Sequence, residues 1–195
     1  MSETLEMNKS FRTFPLKKAH GIQMLILDVD GVMTEGSIFM DDTGKEMKAF
    51  NVRDGHGIKL LQRAGIQVGI LTGRTSGVVK SRASDLGIEH VVQGSLNKAE
   101  GLDALLSGAG LLAERCAYMG DDVLDLAPMR SCALGFAPND AHPSVMKYAD
   151  WVSGFGGGRG AVRQAVEGLI LANDGWMRVI QEPYGVSSTD CGWTI

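Results

Sequence analysis

The chain has 195 residues, 44% of them hydrophobic and 22% charged, with a formal net charge of −4. That length fits one globular domain, and the acidic balance argues against nucleic acid as a partner. Apolar runs of only a few residues exclude a membrane-spanning helix, and the opening M-S-E-T-L-E-M has no secretory core, so no membrane association is expected.

In chain order, residues 1–20 are read as a loose arm or a first helix. Residues 21–27 form a short apolar run without alternation, as suits a strand covered on both faces. Residues 37–40 and 46–52 read as two strands around the turn D-D-T-G, an inserted β-hairpin. The spacing of Ile58, Leu61 and Ala64 predicts a helix over 57–64, closed by Gly65. A second buried strand over 66–71, a helix over 76–86 and a short strand over 90–92 follow. Then come a helix over 98–106, a strand over 116–119 and a helix over 123–129. A strand over 133–136, a helix over 143–148, a strand over 150–152 and a helix over 161–171 complete the series. This alternation predicts a three-layer, Rossmann-like α/β fold with a doubly wound parallel sheet. The polar, Gly- and Pro-containing stretch after Asn173 predicts an extended or disordered tail, with Trp176 and Trp193 as docking points. Cys116, Cys132 and Cys191 lack C-x-x-C spacing. They read as buried or incidental thiols of a reducing, cytoplasmic compartment.

In an open parallel sheet, ligands bind beyond the carboxyl ends of the strands. Asp28 and Asp30 follow the first strand. Thr72, Gly73 and Arg74 follow the second, and Asp121, Asp122 and Asp125 follow a later one. Lys98 opens an intervening helix. Two carboxylates about 4 Å apart repel by roughly 4 kcal/mol at an effective dielectric of 20, so the cluster calls for a cation, and hard oxygen ligands select Mg²⁺. Taken singly, each string has a bland reading: a loop, a capped turn, a solvated lysine. An EF-hand is excluded because Gly31 falls at the wrong loop position. Together they describe phosphoryl transfer, with Asp28 as nucleophile, Asp30 as acid–base, and Thr72 and Lys98 holding the phosphoryl oxygens.

The strings D-V-D-G-V-M-T, I-L-T-G-R, N-K and G-D-D-V-L-D resemble the four motifs of the haloacid dehalogenase superfamily of phosphatases. The resemblance implies Asp28 as nucleophile, Asp30 as acid–base, and Thr72 and Lys98 at the phosphate. It also implies a metal held by the Asp28 and Asp121 carboxylates and the Asp30 carbonyl, with Asp122 and Asp125 in support. The intervals between the motifs are too short for a folded cap domain, so the chain resembles a capless member. The runs F-N-V-R-D-G-H-G-I, Q-G-S-L-N-K, N-D-A-H-P and G-G-R-G-A-V-R extend the likeness over residues 21–172. They point to the family acting on 3-deoxy-D-manno-octulosonate 8-phosphate for lipopolysaccharide synthesis. That family implies a homotetramer in which neighbouring subunits supply the missing cap. The hairpin's apolar content independently suggests a subunit contact; folding back on its own domain is the alternative.

Substrate contacts are read from isolated residues. Arg53 and Arg74 suit a sugar carboxylate or phosphate, with an Arg53–Asp54 ion pair as the other reading of Arg53. His56 either lines the pocket or merely opens a helix. The glycine-rich loop from Gly154 lacks the acid a dinucleotide site requires; it reads as flexible, with Arg159 directed at a neighbouring active site. Two alternative functions remain at this point: a phosphatase for nine-carbon nonulosonate 9-phosphates, and a non-catalytic oligomerisation module.

Overall fold

The structure, a computed structural model, describes residues 14–193, so most of the expected arm lies outside the described residues. Helix α1 (Leu16–Ala19) leads into β1 (Met24–Leu27). A two-stranded hairpin, β2 (Phe39–Met40) and β3 (Glu46–Met47), precedes α2 (Val52–Arg63). Then come β4 (Gln67–Leu71), α3 (Gly77–Leu86), β5 (His90–Val92) and α4 (Lys98–Ala109). The chain continues through β6 (Cys116–Met119), α5 (Leu126–Ser131), β7 (Leu134–Ala137), α6 (Pro143–Tyr148), β8 (Trp151–Val152) and α7 (Ala161–Ala172).

Six strands pair in parallel in the order β5-β4-β1-β6-β7-β8. The central strand shows why: β1 is buried throughout, and its side chains alternate between two cores. Leu25 and Leu27 join Val68, Ile70 and Ala117 under α2 and α7, where Ile58, Leu61, Val166 and Leu169 pack. Met24 and Ile26 join Tyr118 on the other face, under Leu102 and Leu105 of α4 and Met129 of α5. The three-layer architecture is therefore the one the alternation predicts. From β1 the chain steps outward through β4 and β5, then returns to β6 on the other side. The strand order reverses there, and that switch point is where this architecture places ligands.

Three local expectations fail. Helix α2 begins at Val52 rather than at 57, because the Asn51 side chain accepts from the Arg53 amide at 2.8 Å and caps the start. Gly55 and Gly57, which argue against a helix in the sequence, are close-packing positions; a Cβ on Gly57 would lie 2.9 Å from Arg163 Cδ. The second hairpin strand is correspondingly shorter than expected. The helix over 123–129 opens as a 3₁₀ turn, Val123–Asp125, before α5. Third, the chain after Asn173 is ordered. Met177–Gln181 forms a π-helical turn, and Trp176, Val179 and Ile180 are buried. Trp193 is 1% exposed and meets Phe14 edge-on at 5.6 Å between ring centroids, so both anchors dock on their own chain. Two large indoles offset the polar composition that suggested disorder. Among the described residues no helix is long and apolar enough to cross a membrane.

Candidate active site

Leu27 at the end of β1 pairs with Ile70 of β4 and Met119 of β6. The residues just beyond therefore emerge side by side, and the Asp28 amide donates to Met119 O at 3.0 Å. A cleft of about 330 Å³ opens there. Asp28, Asp30, Thr72, Gly73, Arg74, Lys98, Asp121, Asp122 and Asp125 all line it. A depression of similar size at the opposite strand ends, near Gln62, Glu89 and His90, gathers no such set of acids and cations. Chemistry, not volume, picks out the site.

Lys98 is the hub. It opens α4 after Asn97, and its ammonium lies 2.9 Å from Asp28 Oδ1 and 2.5 Å from Asp125 Oδ1. All three residues are buried. Burial opposes the Lys98 charge, but the two carboxylates outweigh it and hold its pKa above the ordinary lysine value. Burial pushes Asp28 up to about 6 despite the opposing attraction of Lys98. Asp121 is pushed up to about 8, by burial first and then by the charges of Asp28 and Asp125.

The carboxylates of Asp28, Asp121 and Asp125 lie within 4.8 Å of one another. Their hydrogen bonds divide the labour among them. Asp125 is saturated: Tyr118 Oη donates to Oδ1 at 2.6 Å, and the Asp121 and Asp122 amides donate to Oδ2 at 3.0 and 3.1 Å. Asp122 caps the 3₁₀ turn through the Val123 amide at 2.7 Å. By contrast, Asp121 Oδ1 is buried without a hydrogen-bond partner, and Asp28 Oδ1 meets only the Lys98 ammonium. Two hard carboxylates facing one cleft, one of them with an unpartnered oxygen, fit a divalent cation such as Mg²⁺, and Asp125 fits an orienting role behind them. Gly31 makes room for this. Its φ is +94°, and a Cβ there would lie 2.1 Å from Asp121 Oδ2.

Asp30 is half-buried and its carboxylate faces two cations. Lys48 pairs with Oδ1, and Arg74 Nε lies 3.8 Å from Oδ2. Lys48 escaped the sequence reading because it sits on the hairpin, outside any recognisable catalytic string. The remaining candidates stand apart from the cleft. Arg53 is exposed at the start of α2. The ion pair proposed for it does not form, because Asp54 instead accepts from the Gly160 and Arg163 amides at 3.3 and 2.8 Å and caps α7. His56 lies 3.4 Å from both Arg163 Nη1 and Tyr184 Oη, on the side where the C-terminal segment docks. Arg159 is exposed and pairs with Glu35 at 2.8 Å. The glycine-rich loop is not slack: Gly158 N donates to Val32 O at 2.9 Å, and a Cβ on Gly157 would lie 1.8 Å from Gly31 O.

With this geometry in hand, comparison with known proteins is specific. Residues 82–162 match the haloacid dehalogenase-like hydrolase family. The 3-deoxy-D-manno-octulosonate 8-phosphate phosphatase KdsC of Salmonella typhi is 45% identical over 160 residues, covering 82% of this chain and 85% of that protein. The crystal structure of the Yersinia pestis phosphatase of the same name superposes with a TM-score of 0.81 at 42% identity, over 84% of this chain and 88% of that one. A Moraxella catarrhalis phosphatase of that name, solved with a magnesium ion, a phosphate ion and KDO, gives 0.82 at 35% identity, over 90% and 98%.

Proposed function

The chain belongs to the haloacid dehalogenase-like hydrolases, in the family of 3-deoxy-D-manno-octulosonate 8-phosphate phosphatases, and from that premise we propose that it releases phosphate from this eight-carbon sugar acid by way of an aspartyl-phosphate. It is a phosphoric monoester hydrolase. The observation that carries the mechanistic reading is the buried Asp28–Lys98 pair beside the unpartnered Asp121 oxygen, at the sheet's switch point.

Asp28 and Asp121 would hold Mg²⁺ together with the Asp30 carbonyl. When bound, the ion would neutralise charge between the anionic nucleophile and the anionic phosphoryl group. Asp28 attacks phosphorus through a carboxylate oxygen as the bond to the sugar oxygen breaks. Asp30 gives that oxygen a proton, and later takes one from the water that hydrolyses the aspartyl-phosphate. Thr72, Gly73 and Lys98 hold the phosphoryl oxygens, while Asp125 and Asp122 fix Lys98 and the turn after β6. Arg74, at the mouth of the cleft, meets the sugar carboxylate; Arg53, His56 and Arg159 lie too far round the rim to be assigned a contact within one subunit.

We place the enzyme in the cytoplasm, supplying a lipopolysaccharide precursor, and as a homotetramer. The capless cleft needs a neighbour to close it. The hairpin offers the surface, since Phe39 and Met47 are 53% and 59% exposed. The test is phosphate release from octulosonate 8-phosphate, a nonulosonate 9-phosphate and an aryl phosphate, with Mg²⁺ and with chelator. A metal-dependent preference for the eight-carbon acid is expected. Equal rates on the nine-carbon acid would move the substrate assignment to nonulosonates, and silence on all three would leave a non-catalytic module.

A further inference from the structure

We propose that Lys48, carried into the site by the inserted hairpin, is a positioning residue that fixes the carboxylate of Asp30. The inference deepens the proposed function, since it rests on Asp30 as the acid–base group.

Lys48 lies one residue beyond β3, on a hairpin whose apolar side chains Ile38, Phe39, Met40 and Met47 face outward. Its own side chain is 1% exposed. A shielded ammonium is costly unless its charge is matched, so a lysine turned inward on an exposed ribbon marks a specific pairing. Two carboxylates match it: Asp30 Oδ1, and Glu46 Oε1 at 3.0 Å. Glu46 is in turn held by Arg74 Nη2 at 3.2 Å, and Arg74 Nε reaches toward the second oxygen of Asp30. The two cations would repel each other across the cleft mouth; Glu46 sits between them and offsets that repulsion. Each oxygen of Asp30 thus faces a different cation, one from the hairpin and one from the turn after β4.

This arrangement matters because an aspartate side chain has a broad terminal torsion. Proton transfer requires the carboxylate within hydrogen-bond reach of the leaving oxygen and then of water. Among the described residues, Lys48 and Arg74 are the cations paired with Asp30. Of these, Arg74 is 47% exposed at 3.8 Å, whereas Lys48 is enclosed. Lys48 is therefore the stronger constraint on which way Asp30 points.

The experiment is steady-state kinetics on octulosonate 8-phosphate with Lys48→Met, Lys48→Arg, Asp30→Asn and the Lys48→Met/Asp30→Asn double variant, each checked for folding by thermal melting. Misplacing a reacting group by about 1 Å costs on the order of 100-fold in rate, so Lys48→Met should lower kcat about 10- to 100-fold with KM changed less than about twofold. Lys48→Arg should recover most of that loss. In the Asp30→Asn background, Lys48→Met should cost nothing further, because the group it positions is gone. An unchanged kcat overturns the proposal. So does a rise in KM alone, which would make Lys48 a substrate anchor, or a loss that persists undiminished without Asp30, which would make its role structural. Full turnover by Asp30→Asn itself removes the acid–base reading, and the Lys48 proposal with it; a dead Asp30→Asn beside an unaffected Lys48→Met removes only the latter.

Discussion

Gly31 shows how closely the site is built. It follows Asp30, the proposed acid–base group, adopts a positive φ, and leaves no space for a Cβ against the Asp121 carboxylate. Gly31→Ala should therefore move Asp121 or the Asp28–Asp30 loop, lowering magnesium affinity and kcat/KM at least about 10- to 100-fold. Isothermal titration and phosphate release would measure both, and wild-type magnesium affinity would count against the close approach. At this scale the sequence was legible where chemistry is written in short strings: Asp28, Thr72, Lys98 and Asp121 each sit at a strand or helix boundary and converge on one cleft. It was not legible where a residue's partner comes from elsewhere. Nothing in the string around Asp54 says that its carboxylate caps α7 more than a hundred residues on. Nor does the hairpin sequence say that Lys48 turns inward.

Elements were read well where burial dictates their pattern. The apolar runs of β1 and β4 suit strands covered on both faces, and that is how they pack. Glycines misled the reading in the loop from Gly154, which is not flexible. In α2, Gly57 allows close approach to α7 and Gly55 to α3, and Gly157, in a loop that reads as flexible, presses on the Gly31 backbone. The hairpin is the element whose proposed purpose depends on another molecule. Ile38, Phe39, Met40 and Met47 stay exposed on it, more apolar surface than an isolated ribbon should show. If it is the subunit contact, Phe39→Ser/Met47→Ser should convert the assembly to smaller species in sedimentation velocity and reduce turnover by about tenfold or more, with the fold retained. A wild-type protein that sediments as a monomer at assay concentration and keeps its full rate would refute the subunit-supplied cap.

For the whole molecule, the acid cluster links stability to pH and metal. The folded-state pKa of Asp28, about 6, and of Asp121, about 8, both lie above the ordinary carboxylate value of 3.8. Between roughly pH 4 and 8 these two groups therefore bind more protons in the folded protein than in the unfolded chain, and their contribution to metal-free stability falls as pH rises through that window. A divalent cation held by Asp28 and Asp121 would take the place of those protons. Metal-free protein should melt higher at pH 5 than at pH 8. Magnesium at roughly 100 times its dissociation constant should raise the pH 8 midpoint by about 5–10 °C and the pH 5 midpoint much less. A pH 8 midpoint indifferent to magnesium would show that the ion does not occupy the cluster. The sequence by itself determined the parallel three-layer fold and the residues at the strand ends, because burial periodicity and short motifs are local properties of a chain. Only the tertiary structure decided that Asp121 keeps an unpartnered oxygen while Asp125 is consumed as a support. It also decided that the C-terminal tryptophans close the core, and that a hairpin lysine faces Asp30. Each of these is a pairing between distant segments, set by how the layers pack and invisible to any window of sequence.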